Sequence, residues 1–148
     1  MANRALLLEL TTMVSTHGYS GKPLFQKLGM KPGGLWKLVR APGNYFELLG
    51  PVEEVVFSKR THDLDGIHIF TKTSREVELA LNKYSKQIKP DGMLWFSWYK
   101  KSSRIPTDVT EDVIRDTALT FGLVDVKVCA VSEIWSGLKI VWRKENRK

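Results

Sequence analysis

The sequence predicts a three-layer α/β sandwich: helices cover both faces of a mainly parallel, twisted sheet, and an antiparallel C-terminal hairpin closes one edge. Three observations lead to this prediction. Strand and helix patterns alternate between residues 35 and 122, which is typical of right-handed crossovers between parallel strands. Residues 93–99 are apolar almost throughout, as expected of a strand covered on both faces. The last two strand patterns are joined by a short turn, so we expect them to pair antiparallel.

Apolar spacing, together with glycine and proline, defines the elements of the N-terminal half. Residues 3–14 carry apolar side chains at helical spacing. Pro23 suits the first turn of a short helix, because a proline at that position loses no hydrogen bond. The following elements are a strand at residues 35–40, a short helix at 44–49, a second strand at 54–58 and a third strand at 66–71.

Capping residues define the helices of the C-terminal half. Thr73 with Glu76, and Asp108 with Glu111, have the spacing of capping boxes. The first helix is expected to end before Pro90 and the fourth strand to cover residues 93–99. The two closing strands are predicted at residues 124–128 and 138–143. The expected buried side chains are Val77, Ala80, Leu81, Tyr84 and Ile88 in the first helix, and Val109, Val113, Ile114, Ala118 and Phe121 in the second.

Composition excludes several classes of protein. The 148 residues include 23 Lys and Arg against 16 Asp and Glu, a net charge of +7, and 43% are hydrophobic, the balance of a folded domain. Cys129 is the single cysteine, so no internal disulfide can form, which favours a reducing, cytoplasmic setting. The apolar run at residues 5–8 is too short for a signal peptide or a membrane span. We therefore expect an N-terminal extension (residues 1–19), followed by one domain (residues 20–148) with a basic tail and no membrane association.

Short sequence phrases resemble known proteins. Residues 88–94 are similar to the "LKPGG" turn of class I S-adenosylmethionine (SAM)-dependent methyltransferases, and the C-terminal hairpin is similar to the closing strands of that fold. Between residues 20 and 143 the chain also resembles a small bacterial family of domains of unknown function, at residues 31–33, 41–42 with Tyr45, 48–51, 94–95 with 97–98, 100–103, 107–108, and 124–131 followed by Glu133, 135–136 and 138–139. The resemblance implies a methyltransferase-like, Rossmann-like fold and no particular reaction.

The resemblance also implies two features of a cofactor site, and both are altered in this chain. The loop after the first strand, residues 40–45, has one glycine and the rigid Pro42, although this superfamily uses glycines there for close backbone approach. The second strand ends in Ser58, Lys59 and Arg60, where a carboxylate would bind the ribose, although Asp63 or Asp65 remain alternatives. The cofactor is therefore unknown, with SAM requiring an atypical site, and the pattern favours a non-catalytic role.

Candidate binding residues follow from topology, because ligands of open parallel sheets bind beyond the carboxyl ends of the strands. Helices starting at Thr73 and Asp108 would add the positive potential of their amide ends. Lysines, hydroxyl groups and aromatic rings at this edge suit a small anionic ligand such as a nucleotide. The candidates are Pro42, Asn44, Tyr45, Ser58, Lys59, Thr71, Lys72, Trp98, Lys100, Lys101 and Ser102.

Two other groups of residues are interpreted as structural. Residues 62–68 contain two histidines and two aspartates, but His68 lies between isoleucines in a strand, so a structural histidine is expected and no metal site. Cys129 lies in a strand pattern with no base beside it, which indicates an inert thiol.

Three functions remain open. The first is a non-catalytic binding or regulatory module for an anionic ligand. The second is a SAM-dependent methyltransferase with an atypical site. The third is a nucleic-acid-associated protein that binds through Lys100, Lys101 and the basic tail, with an affinity that falls steeply with salt.

Overall fold

The computed structural model describes residues 21–147, which form one six-stranded sheet in the order β2-β1-β3-β4-β6-β5. β1 to β4 run parallel, and β6 pairs antiparallel with both β4 and β5. The predicted mainly parallel sheet with a C-terminal hairpin is confirmed. The strands are β1 (Leu35–Val39), β2 (Val56–Phe57), β3 (Leu64–Phe70), β4 (Ile88–Tyr99), β5 (Leu123–Ala130) and β6 (Trp135–Trp142).

Helices cover both faces of the sheet, as predicted. They are α1 (Leu24–Leu28), α2 (Tyr45–Leu49), α3 (Ser74–Tyr84) and α4 (Glu111–Thr120). In β3, Ile67 and Ile69 pack with α3 and α4, whereas Phe70 packs with α1 and α2 on the opposite face. The helix predicted at residues 3–14 lies outside the described residues. Within residues 21–147, no helix has the length and apolar character needed to cross a membrane.

The second strand is much shorter than predicted. β2 contains two residues instead of the expected 54–58 and lies at the edge of the sheet beside β1. Glu54 has a φ of 60°, a left-handed conformation that a strand does not accommodate, so regular pairing cannot begin there. As a result, Ser58 and Lys59 follow a minimal edge strand.

The segment around Pro90 belongs to a strand, which corrects the predicted helix. α3 ends at Tyr84, and Ile88, expected on its buried face, is the first residue of β4. The pairing register of β3 with β4 shifts within this segment. Pro90 has no N–H to donate, but it lies where the regular hydrogen bonding between these strands is already interrupted, so the strand tolerates it. A Cβ atom at Gly92 would lie 2.9 Å from the Ile88 Cβ, so only glycine fits this fold-back without movement.

The predicted capping box at Asp108 is wrong, while the one at Thr73 is confirmed. Thr73 Oγ1 accepts a hydrogen bond from the Glu76 amide, at 3.1 Å. α4 begins two residues later than expected, with Thr110 as its cap. Asp108 instead accepts hydrogen bonds from the Ser74 amide (2.8 Å) and hydroxyl (3.0 Å), so it ties the start of α3 to the segment before α4.

The closing hairpin is longer than predicted and irregular. The register of β5 with β6 shifts between Asp125 and Lys127. Val126 and Val128, expected to alternate with polar residues, are 53% and 51% exposed because β5 is the outer strand. In α4, Val113 is half-buried, while Ile114 and Ala118 are buried as predicted.

Candidate functional site

The strand order reverses between β1 and β3, and an open cleft lies beyond the carboxyl ends of these strands. The chain leaves β1 for β2 on one side and returns to β3 on the other. Such a reversal is the preferred ligand position in open α/β sheets. We call this cleft, of about 480 Å³, the switch-point cleft. It is lined by Arg40, Ala41, Pro42, Phe70, Lys72, Glu76, Tyr99 and Trp135.

A network around Glu76 organises the polar rim of the switch-point cleft. Arg40 follows β1 with a φ of 59°, and its Nη1 lies 3.2 Å from Glu76 Oε2. Glu76 Oε1 accepts a hydrogen bond from the Lys72 amide at 2.7 Å. The Lys72 side chain is exposed, and no carboxylate among residues 21–147 pairs with it. The rim therefore carries two cations: Arg40, which is paired with Glu76, and Lys72, which pairs with no carboxylate among residues 21–147.

Stacked aromatic rings form the opposite wall. The rings of Tyr99 and Trp135 are stacked with centroids 4.1 Å apart and an interplanar angle of 22°. The Phe70 ring packs edge-on against the Trp135 ring, with centroids 4.9 Å apart, and this contact supports the stacked pair. Trp135 is 5% exposed and Tyr99 is half-buried, so the wall is rigid and partly accessible.

A hydrogen-bonded triad lies in the core on the α1–α2 face. The fully buried His68 contacts the Tyr45 hydroxyl through Nδ1 at 2.8 Å and Ser97 Oγ through Nε2 at 2.7 Å. Its ring stacks on Phe70 at 4.4 Å. Burial lowers the pKa of His68 to about 3, so the imidazole is neutral at physiological pH. The structural role predicted for His68 is confirmed.

A second cleft of about 510 Å³ adjoins the first. Tyr99 lines both clefts, so the two clefts adjoin at this residue. We call it the basic cleft, because its rim carries Lys100, Lys101 and Arg104. The other lining residues are Trp98, Ile105, Pro106, Thr107, Val109, Thr110 and Glu111.

The structure divides the predicted binding residues into four groups. Pro42 and Lys72 line the switch-point cleft, while Trp98, Lys100 and Lys101 line the basic cleft. Tyr45 and Thr71 are buried: their hydroxyls bond His68 and the Ser97 carbonyl, so neither is a ligand-contact residue in this conformation. The remaining four line neither cleft; they are Asn44, Ser58, Lys59 and Ser102.

Sequence reasoning missed several residues of the switch-point cleft, among them Arg40, Phe70, Glu76 and Trp135. Arg40 follows β1 and lies within the expected loop, but its pairing with Glu76 depends on the left-handed backbone. The sequence assigns Glu76 only to a cap and Trp135 only to a turn, although Trp135 begins β6. Because β6 runs antiparallel, its first residue reaches the edge where the parallel strands end, and that topology was the available signal.

The helix ends contribute less positive potential than expected. At the start of α3, the amides of Ser74 and Glu76 are occupied by Asp108 and Thr73. α4 begins with two acidic residues, Glu111 and Asp112, which both pair with Arg115. The positive charge at this edge therefore comes from side chains.

Asp65 and Cys129 belong to the two groups of residues predicted to be structural, and the structure shows the surroundings of each. Asp65 Oδ2 accepts a hydrogen bond from the Leu35 amide at 2.8 Å, and Oδ1 pairs with Lys89 at 2.9 Å. Among residues 21–147, no group of three or more potential metal-ligating side chains lies together. Cys129 is half-buried, and burial raises the pKa of its thiol against the opposing effect of Lys27, which agrees with an unreactive thiol.

Comparisons with solved structures identify the fold. A TehB-like SAM-dependent methyltransferase from Corynebacterium glutamicum superposes with a TM-score of 0.53 and 11% identity, covering 94% of this chain and 97% of that chain. A putative type 11 methyltransferase from Sulfolobus solfataricus gives 0.50 and 12%, covering 74% and 85%. LepI, solved with S-adenosylhomocysteine (SAH) and a substrate analogue, gives 0.53 and 7%, covering 95% and 53%. No family model and no curated protein sequence matches. The chain thus has the class I methyltransferase-like fold that the resemblance implied.

At the carboxyl ends of β1 and β2, the described residues differ from the cofactor site that the resemblance implies. The carboxylate in the switch-point cleft, Glu76, already binds Arg40 through one oxygen and the Lys72 amide through the other. The carboxyl end of β2 carries Ser58 and Lys59, where that site needs an acidic residue. Asp65, an alternative acceptor, lies at the amino end of β3, on the edge of the sheet opposite the cleft.

Proposed function

We propose that this protein is a binding module for a small anionic ligand with a planar ring, of the nucleotide class, and that the ligand occupies the switch-point cleft. The observation that carries the proposal is the meeting of two cationic side chains and a preformed aromatic wall where the strand order reverses. A cleft of about 480 Å³ is within the size range of small-molecule sites.

The cations would bind the acidic group of the ligand. Lys72 is exposed, and Arg40 keeps 53% of its side chain exposed even while it pairs with Glu76. A guanidinium has five N–H donors, so one ion pair leaves others free for phosphate. Arg40 is also held by its backbone and by Glu76, which lowers the entropic cost of binding.

The aromatic wall would bind the planar ring. Stacking of a base on an aromatic side chain contributes about 1–3 kcal/mol and tolerates any base. Because Tyr99 is already stacked on Trp135, the wall needs little reorganisation. This arrangement supports recognition of a heterocycle without specifying which one.

Binding without catalysis is favoured by the side chains of the cleft. Among residues 21–147, its lining contains no histidine, cysteine or serine, and its carboxylate is in an ion pair. Glu76 is therefore poorly placed to accept a proton from a substrate, because protonation would break its ion pair with Arg40. A regulatory or carrier role needs no such group.

Calorimetric titration with AMP, ADP and ATP tests the proposal. Wild type should bind at least one of them, and Lys72→Gln should weaken binding about 10-fold or more, since a hydrogen bond to a charged group contributes about 1.5–3 kcal/mol. Lys86→Gln is the matched control, because Lys86 is equally exposed but follows the far end of α3. No binding by wild type, or equal affinities for the two variants, would contradict the proposal.

A SAM-dependent methyltransferase with an atypical site is the second candidate. It is favoured by the fold neighbours, one of which was solved with SAH. Thermal stabilisation by SAH but not by nucleotides, together with methyl transfer to a component of a cell extract, would support this candidate over the binding module. Stabilisation by nucleotides alone would exclude it.

A further inference from the structure

We propose that the basic cleft binds the sugar–phosphate backbone of a single-stranded nucleic acid while one of its bases occupies the switch-point cleft. The inference rests on the proposed function, because it takes the nucleotide-class ligand to be one unit of a polymer. The observation behind it is that Tyr99 lines both clefts. A ligand stacked against Tyr99 would therefore continue directly into the basic cleft.

The cations of the basic cleft remain available to a ligand. No carboxylate among the described residues pairs with Lys100, Lys101 or Arg104. Glu111, which also lines the cleft, is paired with Arg115. With Lys72 on the adjoining rim, the four cations suit several phosphates better than a single one.

The loop that carries these cations is held rigid. The Lys100 amide donates to the Ile134 carbonyl at 2.9 Å, which anchors the loop to the segment before β6. Ser103 Oγ donates to the Lys100 carbonyl at 2.7 Å and accepts from the Ile105 amide at 3.1 Å. Because the backbone is fixed, the points from which these cationic side chains project are set before a ligand arrives.

The floor of the basic cleft is apolar, which indicates a single strand as the ligand. Trp98 and Val109 are 8% and 2% exposed and lie beneath the charged rim, next to Ile105 and Pro106. Two clefts of small-molecule size that share Tyr99 fit bases that have left the stack. A duplex keeps its bases inside and would contact only the rim.

Fluorescence anisotropy with a labelled 12-nucleotide oligo(A) RNA, over a range of salt concentrations, tests the inference. For a single strand, the slope of log K against log salt decreases in magnitude by ~0.7 for each phosphate that the protein no longer neutralises. Lys101→Gln/Arg104→Gln should therefore bind more weakly and with a slope reduced by ~1.4. Lys31→Gln/Lys86→Gln, which removes the same charge from two exposed lysines at the edge where β1 and β4 begin, should keep the wild-type slope.

The outcomes separate this inference from the proposed function. If AMP binds wild type and Lys101→Gln/Arg104→Gln equally but the oligonucleotide binds no tighter than AMP, the inference is overturned and the proposed function stands. If AMP binding is insensitive to Lys72→Gln, the proposed function fails, and the placement of the base fails with it. Equal slopes for the two double variants, or polyglutamate binding as tightly as RNA, would also overturn the inference.

Discussion

Removing the hydroxyl of Tyr45 should destabilise the protein by about 1–3 kcal/mol, the cost of leaving a buried polar group without its partner. The Tyr45→Phe substitution preserves the ring, which is 1% exposed and packs edge-on against Phe70. It removes only the hydrogen bond with His68 Nδ1, at 2.8 Å. A neutral imidazole has one donor and one acceptor nitrogen, so one of them would be left without its partner in a site closed to water.

Urea denaturation of Tyr45→Phe and wild type measures this cost. The midpoint should fall at an unchanged slope, and the melting temperature should fall by about 2–4 °C for each kcal/mol. Tyr84→Phe is the control: Tyr84 is half-buried, and no described residue hydrogen-bonds its hydroxyl, so its stability should stay within about 0.5 kcal/mol of wild type. Equal midpoints for Tyr45→Phe and wild type would refute the triad as a stabilising network.

Three further perturbations test other parts of the fold. Gly66→Ala should destabilise by about 1–3 kcal/mol in urea denaturation, because the new Cβ would lie 2.5 Å from the buried Trp36 ring; a wild-type midpoint would contradict this packing. Burial lowers the pKa of His68 from 6.5 to about 3 in the folded state, so between these two pH values only the unfolded state gains a proton at this residue. The free energy of unfolding should therefore fall by about 1.4 kcal/mol for each unit by which the pH drops between them. His68→Gln, although less stable, should lose that part of the pH dependence; identical pH profiles would refute it. Asp108→Ala should cost about 0.5–2 kcal/mol by thermal melting, the effect of losing a helix cap at Ser74, and an unchanged melting temperature would show that the cap is dispensable.

The sheet could be predicted from the sequence because its signals are local. The apolar segments of β1, β3 and β4 and the capping pair at Thr73 each depend on a few neighbouring residues. The short β2 could not be predicted, because it depends on the left-handed backbone of Glu54. The structure of residues 88–92 was missed for a similar reason: a proline inside a strand is acceptable only at an irregularity that pairing with β3 creates.

The candidate site was predictable in position but not in composition. The rule that ligands bind beyond the carboxyl ends of parallel strands led to Pro42 and Lys72, and both residues line the switch-point cleft. It gave no means of telling that Tyr45 turns inward to His68, a residue 23 positions away. Nor could it place Trp135 against Tyr99, since that stacking requires the antiparallel register of β4 with β6.

The irregular register of β5 affects how copies of this protein behave at high concentration. An outer strand with two exposed valines offers unpaired backbone groups to which a neighbouring molecule can add a strand. The shift between Asp125 and Lys127 interrupts that template, and the exposed lysine would have to be dehydrated for two edges to join. The register shift and the charge of Lys127 therefore both oppose the addition of a strand, and with it aggregation, at the edge of the sheet opposite β2.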